Sequence, residues 1–118
     1  MDQSQHAYLR IAESAHSMMR HVEALRLRDV EVAMILGIES GYVGPPILAR
    51  PMSGWQFNRL VALAELASLI HALIEHDGSA WLRLPNPALA GRTPVALLTG
   101  RPDALPGIRH LLREEMSG

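Results

Sequence analysis

Between Trp81 and Leu98 the chain is punctuated so densely that its backbone has few ways to run. The order is Trp-Leu-Arg-Leu-Pro-Asn-Pro-Ala-Leu-Ala-Gly-Arg-Thr-Pro-Val-Ala-Leu-Leu. Pro85-Asn86-Pro87 reads as a rigid turn, because both proline rings fix φ and the Asn86 side chain can bond neighbouring backbone groups. Ala88-Leu89-Ala90-Gly91 leads to Thr93-Pro94. A threonine at the N-cap with proline at the first helical position is a strong helix start. The short helix that follows, Pro94 to Leu98, ends at Gly100. Before the turn, Ala80 to Leu84 forms a short helical or extended piece carrying Trp81. All of these residues are structural signals, and none is a catalytic group.

The rest of the chain reads as helices. Leu9, Ala12, Ala15, Met19, Val22 and Leu25 recur at helical spacing, which predicts a helix over residues 6–25. A second runs to about Leu36, with Asp29 as its N-cap and Val30, Ala33, Met34 and Leu36 on its buried side; Gly37 ends it. The longest opens at Ser53 or Gly54 and continues to about His76, with Leu60, Leu63, Leu66, Ala67, Ile70, Leu73 and Ile74 as a core-facing stripe. Asp77-Gly78 stops it, glycine supplying a left-handed residue. Pro102-Asp103-Ala104 begins a last helix lined by Ile108, Leu111, Leu112 and Met116, with Pro106-Gly107 delaying or kinking its start. The fold class expected is all-α.

The string Val-Glu-Val-Ala-Met-Ile-Leu-Gly-Ile, from Val30 to Ile38, looks like the first half of a helix-turn-helix, in which an alanine packs on the partner helix and a glycine turns the chain. The second half departs from that pattern. Ser40-Gly41-Tyr42-Val43-Gly44-Pro45-Pro46 stands where a reading helix would begin. Each glycine costs a helix roughly 1 kcal/mol and an interior proline about 3 kcal/mol. A short turn or an irregular loop reaching Arg50-Pro51 is expected instead. Arg50 and Arg59 could touch phosphates there, without reading sequence.

Composition narrows the classes further. The chain has 118 residues, 48% of them hydrophobic but only 4% aromatic, so Leu, Ala, Val and Ile must fill one small core. There is no cysteine, hence no disulfide and no thiolate metal site, which fits a reducing cytosol. No apolar run approaches the ~20 residues that span a bilayer, and Met-Asp-Gln-Ser-Gln-His lacks the parts of a signal peptide. A cytoplasmic protein is expected. The net charge is −1, without the basic footprint of a free-standing DNA binder. All 11 basic residues are arginine; a GC-rich genome and a use in carboxylate or phosphate contacts explain this equally well.

No enzyme constellation is present. Ser17, Ser40, Ser53 and Ser68 lack a nucleophile-elbow context, and no metal, phosphate or calcium motif occurs. The pairs His16/His21 and His71/His76 are five apart, a poor spacing for shared ligation on a helix. Glu114 and Glu115 are adjacent and point apart, so they read as solvated carboxylates. No catalytic residue, metal or cofactor is expected.

The run from Trp81 through Pro85-Asn86, Leu89, Gly91, Thr93-Pro94 and Leu98, followed by a helix with Ile108 and Leu111-Leu112, resembles the toxin-binding domain of antitoxins of the MbcA/ParS/Xre type. The likeness covers residues 53–118, and 1–52 then correspond to a degenerate helix-turn-helix-like region. That resemblance implies a protein inhibitor and no enzyme. Its partner would be a RES-family toxin that destroys NAD, and its C-terminal tail would cover the toxin's active site. Carried onto this chain, the tail is Arg109 to Gly118. Arg109 and Arg113 would meet carboxylates, Glu114 and Glu115 would meet basic groups, and Met116, Ser117 and Gly118 would complete the contact. Trp81, Pro85, Asn86, Leu89, Gly91, Thr93, Pro94 and Leu98 would be scaffold. The resemblance also implies a homodimer or a toxin-antitoxin hetero-oligomer, and repression of the chain's own operon, which the broken reading helix works against. The rival readings are a helix-turn-helix transcriptional regulator without a toxin, and a diverged protein that only oligomerises.

Overall fold

The computed structural model describes residues 3–74 and 77–117, and their side chains from residue 13 onward. Its order is α1 (Gln3–Glu23), α2 (Asp29–Leu36), α3 (Gly54–Leu73), α4 (Ser79–Leu82), α5 (Pro94–Gly100) and α6 (Leu105–Ser117). Short 3-10 turns sit at Ser40–Tyr42, Pro87–Leu89 and Pro102–Ala104. There is no strand among the described residues, and the fold is all-α. No helix among them is long and apolar enough to cross a membrane.

α3 is the central element. It packs against α1 on one side and α6 on another, while α2 is covered by α5. One continuous core results, with Met19 and Val22 from α1, Ile35 and Leu36 from α2, Leu60, Leu63 and Leu66 from α3, and Leu98, Ile108 and Leu112 from the last two helices. Aliphatic side chains fill it, as a chain poor in aromatics requires.

α3 opens where Ser53-Gly-Trp-Gln56 places it. Ser53 Oγ accepts from Gln56 N at 3.3 Å, and Gln56 Oε1 accepts from Ser53 N at 2.9 Å, a reciprocal capping box. The Gln56 amide also donates to the Gly37 carbonyl at 2.6 Å, which ties the end of α2 to the start of α3. Gly37 is left-handed (φ 73°), as its place after α2 required, and the Trp55 ring lies where a Cβ on it would be.

Several expectations are corrected. α2 spans Asp29–Leu36, but Arg28 occupies its N-cap, and the capping acceptor is Glu31 Oε1, 2.8 Å from Arg28 N. Ala33 and Leu36 are buried as expected, but Val30 and Met34 are half exposed (50% and 52%), and Val32 and Ile35 face inward in their place. An eight-residue helix apolar on most sides carries no periodic signal for its inner face; its neighbours choose it. α1 ends at Glu23, two residues early, because Arg26 turns left-handed (φ 55°), though Leu25 still reaches the core. α3 ends at Leu73, with Ile74 extended, and Leu73 is exposed. Gly78 is right-handed (φ −64°), so its handedness is not what demands glycine; a Cβ there would overlap the Ile70 side chain. Met116 is exposed, lying past the end of the core contact of α6. The 3-10 turn at Pro102–Ala104 precedes α6, which itself starts at Leu105 with Pro106 and Gly107 in its first turn. Leu9, Ala12 and His76 fall outside the residues described at side-chain level.

Glu31 joins the two halves of the chain. It is only 5% exposed, and the Arg83 guanidinium grips both of its oxygens, at 2.6 and 3.1 Å. Arg83 also reaches the Arg26 carbonyl at 3.4 Å. The hydrogen bonds from Arg83 outweigh the cost of burial and, with Arg28 N, hold the Glu31 carboxyl at a pKa of about 2 against an ordinary 4.5. The folded-state value lies below the unfolded one, so this stabilisation is complete above about pH 4.5 and is lost as pH falls toward 2. It amounts to about 3 kcal/mol, at roughly 1.4 kcal/mol per unit. In urea denaturation, Glu31→Gln should lower stability at pH 7 by about that amount. It should also flatten the loss that the wild type shows between pH 4.5 and 2.

Candidate functional site

The residues singled out around Trp81–Leu98 converge on the far end of α6. Asn86 is the hub. It is 7% exposed, and five hydrogen bonds hold it. Its Oδ1 accepts from Ala88 N at 2.9 Å, capping the 3-10 turn. Its carbonyl accepts from Leu89 N and Gly91 N, and its own N–H donates to the Arg92 carbonyl. Its Nδ2 then donates to Glu115 Oε1 at 2.7 Å. The other oxygen of that carboxylate accepts from Trp81 Nε1 at 2.9 Å. One glutamate near the end of α6 therefore fastens the tryptophan before the turn and the asparagine within it.

The remaining motif residues support this latch. Thr93 Oγ1 accepts from Ala96 N at 3.1 Å, and Pro94 takes the first position of α5. Pro94 and Leu98 are buried, Trp81 and Leu89 half-buried, and Pro85 and Gly91 exposed. No buried side-chain nitrogen or oxygen among the described residues lacks a partner.

The charged residues of α6 mostly have partners within the chain. Arg109 pairs with Glu65 of α3, and His110 Nε2 lies 3.0 Å from Glu114 Oε1. Glu115 is not a free solvated carboxylate, because Trp81 and Asn86 occupy it. Arg113 has no ion-pair or hydrogen-bond partner among the described residues, and Met116 and Ser117 are exposed beside it in sequence. Gly118 lies outside the described residues. Between α1, α3 and α6 an open trough of about 510 Å³ is lined by Met18, Val61, Ala64, Leu69 and Ala72, with Arg109 and Arg113 on its α6 side.

Arg50 and Arg59 lie away from this platform. The Arg50 guanidinium stands 5.2 Å from the Tyr42 ring centre and pairs with Glu39 at 3.0 Å. Arg59 stacks at 4.6 Å over Trp55, which is 52% exposed. Where a reading helix would begin there is only the 3-10 turn Ser40–Tyr42. No group of three or more metal-ligating side chains occurs among the described residues.

Sequence reasoning missed Glu31, Arg83, Glu65 and the partners of Glu115. Glu31 stands three residues past Arg28, as the glutamate of a capping box does, but arginine is no capping residue and so the pair carries no recognisable signature. The others meet across 29 to 52 positions, and no local pattern announces them.

A double-mutant cycle checks the latch. Trp81→Phe and Glu115→Gln should each destabilise the chain. The double variant should fall short of their sum by about 0.5–3 kcal/mol, the range for directly contacting pairs. Strict additivity would mean that the indole and the carboxylate do not meet in solution.

No protein-family model and no curated protein matches the chain. Among solved structures it is similar to a chain of the crystal structure of the M. tuberculosis MbcT-MbcA toxin-antitoxin complex, with a TM-score of 0.60 and 21% identity. The match covers 86% of this chain and 94% of that one. At that identity the two share a fold.

Proposed function

We propose that this chain is a cytoplasmic antitoxin that binds a RES-family, NAD-degrading toxin and occludes its active site. The observation that carries the reading is the shared fold with a chain of the MbcT-MbcA toxin-antitoxin complex, extending over 86% of this chain. The latch supports it. Trp81, Asn86 and Glu115 hold the end of α6 against the motif loop, so the tail presents a defined surface rather than a loose end. A preordered surface binds more tightly because less freedom is lost on docking. In this reading residues 53–118 form the toxin-binding part, and 1–52 a helix-turn-helix-like part that supports dimers. Arg113, Glu114, Met116, Ser117 and Gly118 remain the tail contacts. Arg109 reaches a partner by exchanging Glu65 for the partner's carboxylate, and Glu115 acts by positioning. The interface would bury about 800 Å² per partner, the usual size for tight inhibition.

Repression of the operon belongs to the same proposal only in weakened form. Arg50 and Arg59 are each stacked on an aromatic ring, and the segment after α2 holds a single 3-10 turn. A gel shift with the chain's own promoter should therefore show no salt-sensitive complex from the chain alone; such a complex would favour the rival transcriptional regulator.

Truncation after Leu112 tests the main reading. The shortened chain keeps the buried Leu112 but loses Arg113 to Gly118. It also loses Glu115 and with it the latch, so it should be less stable than the full chain yet keep most of its helical circular dichroism. It should fail to protect cells expressing the toxin, with NAD falling as in unprotected cells. Full protection by the shortened chain would overturn occlusion by the tail.

A further inference from the structure

We propose that the trough between α1, α3 and α6 receives an apolar segment of the toxin that carries a carboxylate at its edge, and that Arg113 takes that carboxylate. The proposal rests on the antitoxin reading and deepens it by naming the chemistry of the partner. The trough is a shallow, open hollow of about 510 Å³, shaped for a segment of another protein's surface rather than an enclosed small molecule. Met18, Val61, Ala64, Leu69 and Ala72 give it a largely apolar lining, in which Glu65 and Ser68 are the polar members from α3.

The charge at its edge selects the occupant. Arg109 and Arg113 stand one turn apart on α6, and both line the trough. Glu65 neutralises Arg109. Glu114 faces His110, and Glu115 is held by Trp81 and Asn86. Neither glutamate of α6 is left for Arg113, which stands at the rim of an apolar hollow without a partner among the described residues. A purely apolar segment would leave this guanidinium unpaired as the rim dries, and a basic one would repel it. An apolar segment flanked by Asp or Glu satisfies both surfaces, and arginine's fork suits a two-point grip on a carboxylate.

The full chain and the purified RES-family toxin test this by titration calorimetry. Arg113→Glu should weaken binding at least tenfold and Arg113→Lys less. Ser68→Trp, at an exposed position on the trough wall, should weaken it by filling the space. Arg101→Glu, an equal charge change at an exposed site beyond α5, should leave binding unchanged. The chain has no cysteine, so Ser68→Cys carries a single photo-crosslinker and should capture the toxin. If the wild type binds toxin while R113E and S68W bind equally well and S68C captures nothing, the trough is not the contact and the antitoxin reading stands. If the wild type does not bind toxin, that reading falls and the proposal with it. If S68C joins two copies of this chain without toxin, the trough is a homodimer face and the proposal is overturned.

Discussion

Glu31 is a carboxylate held almost out of water between the two halves of the chain, and the arrangement of those halves depends on what neutralises it. A charge in that position is costly unless it is gripped at several points. Arg83 supplies two of them from 52 residues away, and the Arg28 amide supplies a third. The same carboxylate that starts α2 thus fixes where α4 ends. Leu82 is wholly buried beside Arg83, so polar and apolar contacts position this stretch together.

The second buried polar side chain described, Asn86, repeats this logic at the other end of the motif. It organises the loop around its own backbone and side chain, then passes one donor to Glu115. The two polar anchors lie on either side of Leu84-Pro85. They hold the segment between α4 and α5 to α2 at one end and to α6 at the other. A loop fixed in this way can carry a recognition surface without regular structure of its own. The antitoxin reading draws on this, because the tail helix inherits its position from the loop.

What could be read from the residues was mostly local. Thr93 as a cap, Pro94 at a helix start, Gly37 at a helix end and Ser53-Gly54 as the opening of α3 all act within one turn, and each stands where its chemistry places it. The core stripe of α3 was legible because it repeats over many turns, apart from Leu73 at its frayed end. The inner face of α2 was legible only in part, Ala33 and Leu36 but not Val30 and Met34, because eight mostly apolar residues define no face without neighbours. Gly78 was legible as a break in the helix and misread in its cause, since the Ile70 side chain it must admit lies outside any sequence window. Within the candidate site, Trp81 and Asn86 stood out by their spacing to each other. Glu115, which joins them, looked like one of two ordinary solvated acids because its partners are about thirty positions away.

Gln56 also has a bearing on how this protein can change over time. Its amide bridges from the first turn of α3 to the carbonyl of Gly37, the residue that caps α2, bypassing the 16 residues between Gly37 and Gly54. The corner between the two helices is thereby fastened at its base, and the intervening stretch is a closed excursion pinned to the core by the buried Ile47. Lengthening such an excursion adds little closure entropy, growing only with the logarithm of its size. Its exposed tip, around Pro45 and Pro46, is the place where descendants of this chain can gain or lose residues while both helices keep their mutual angle.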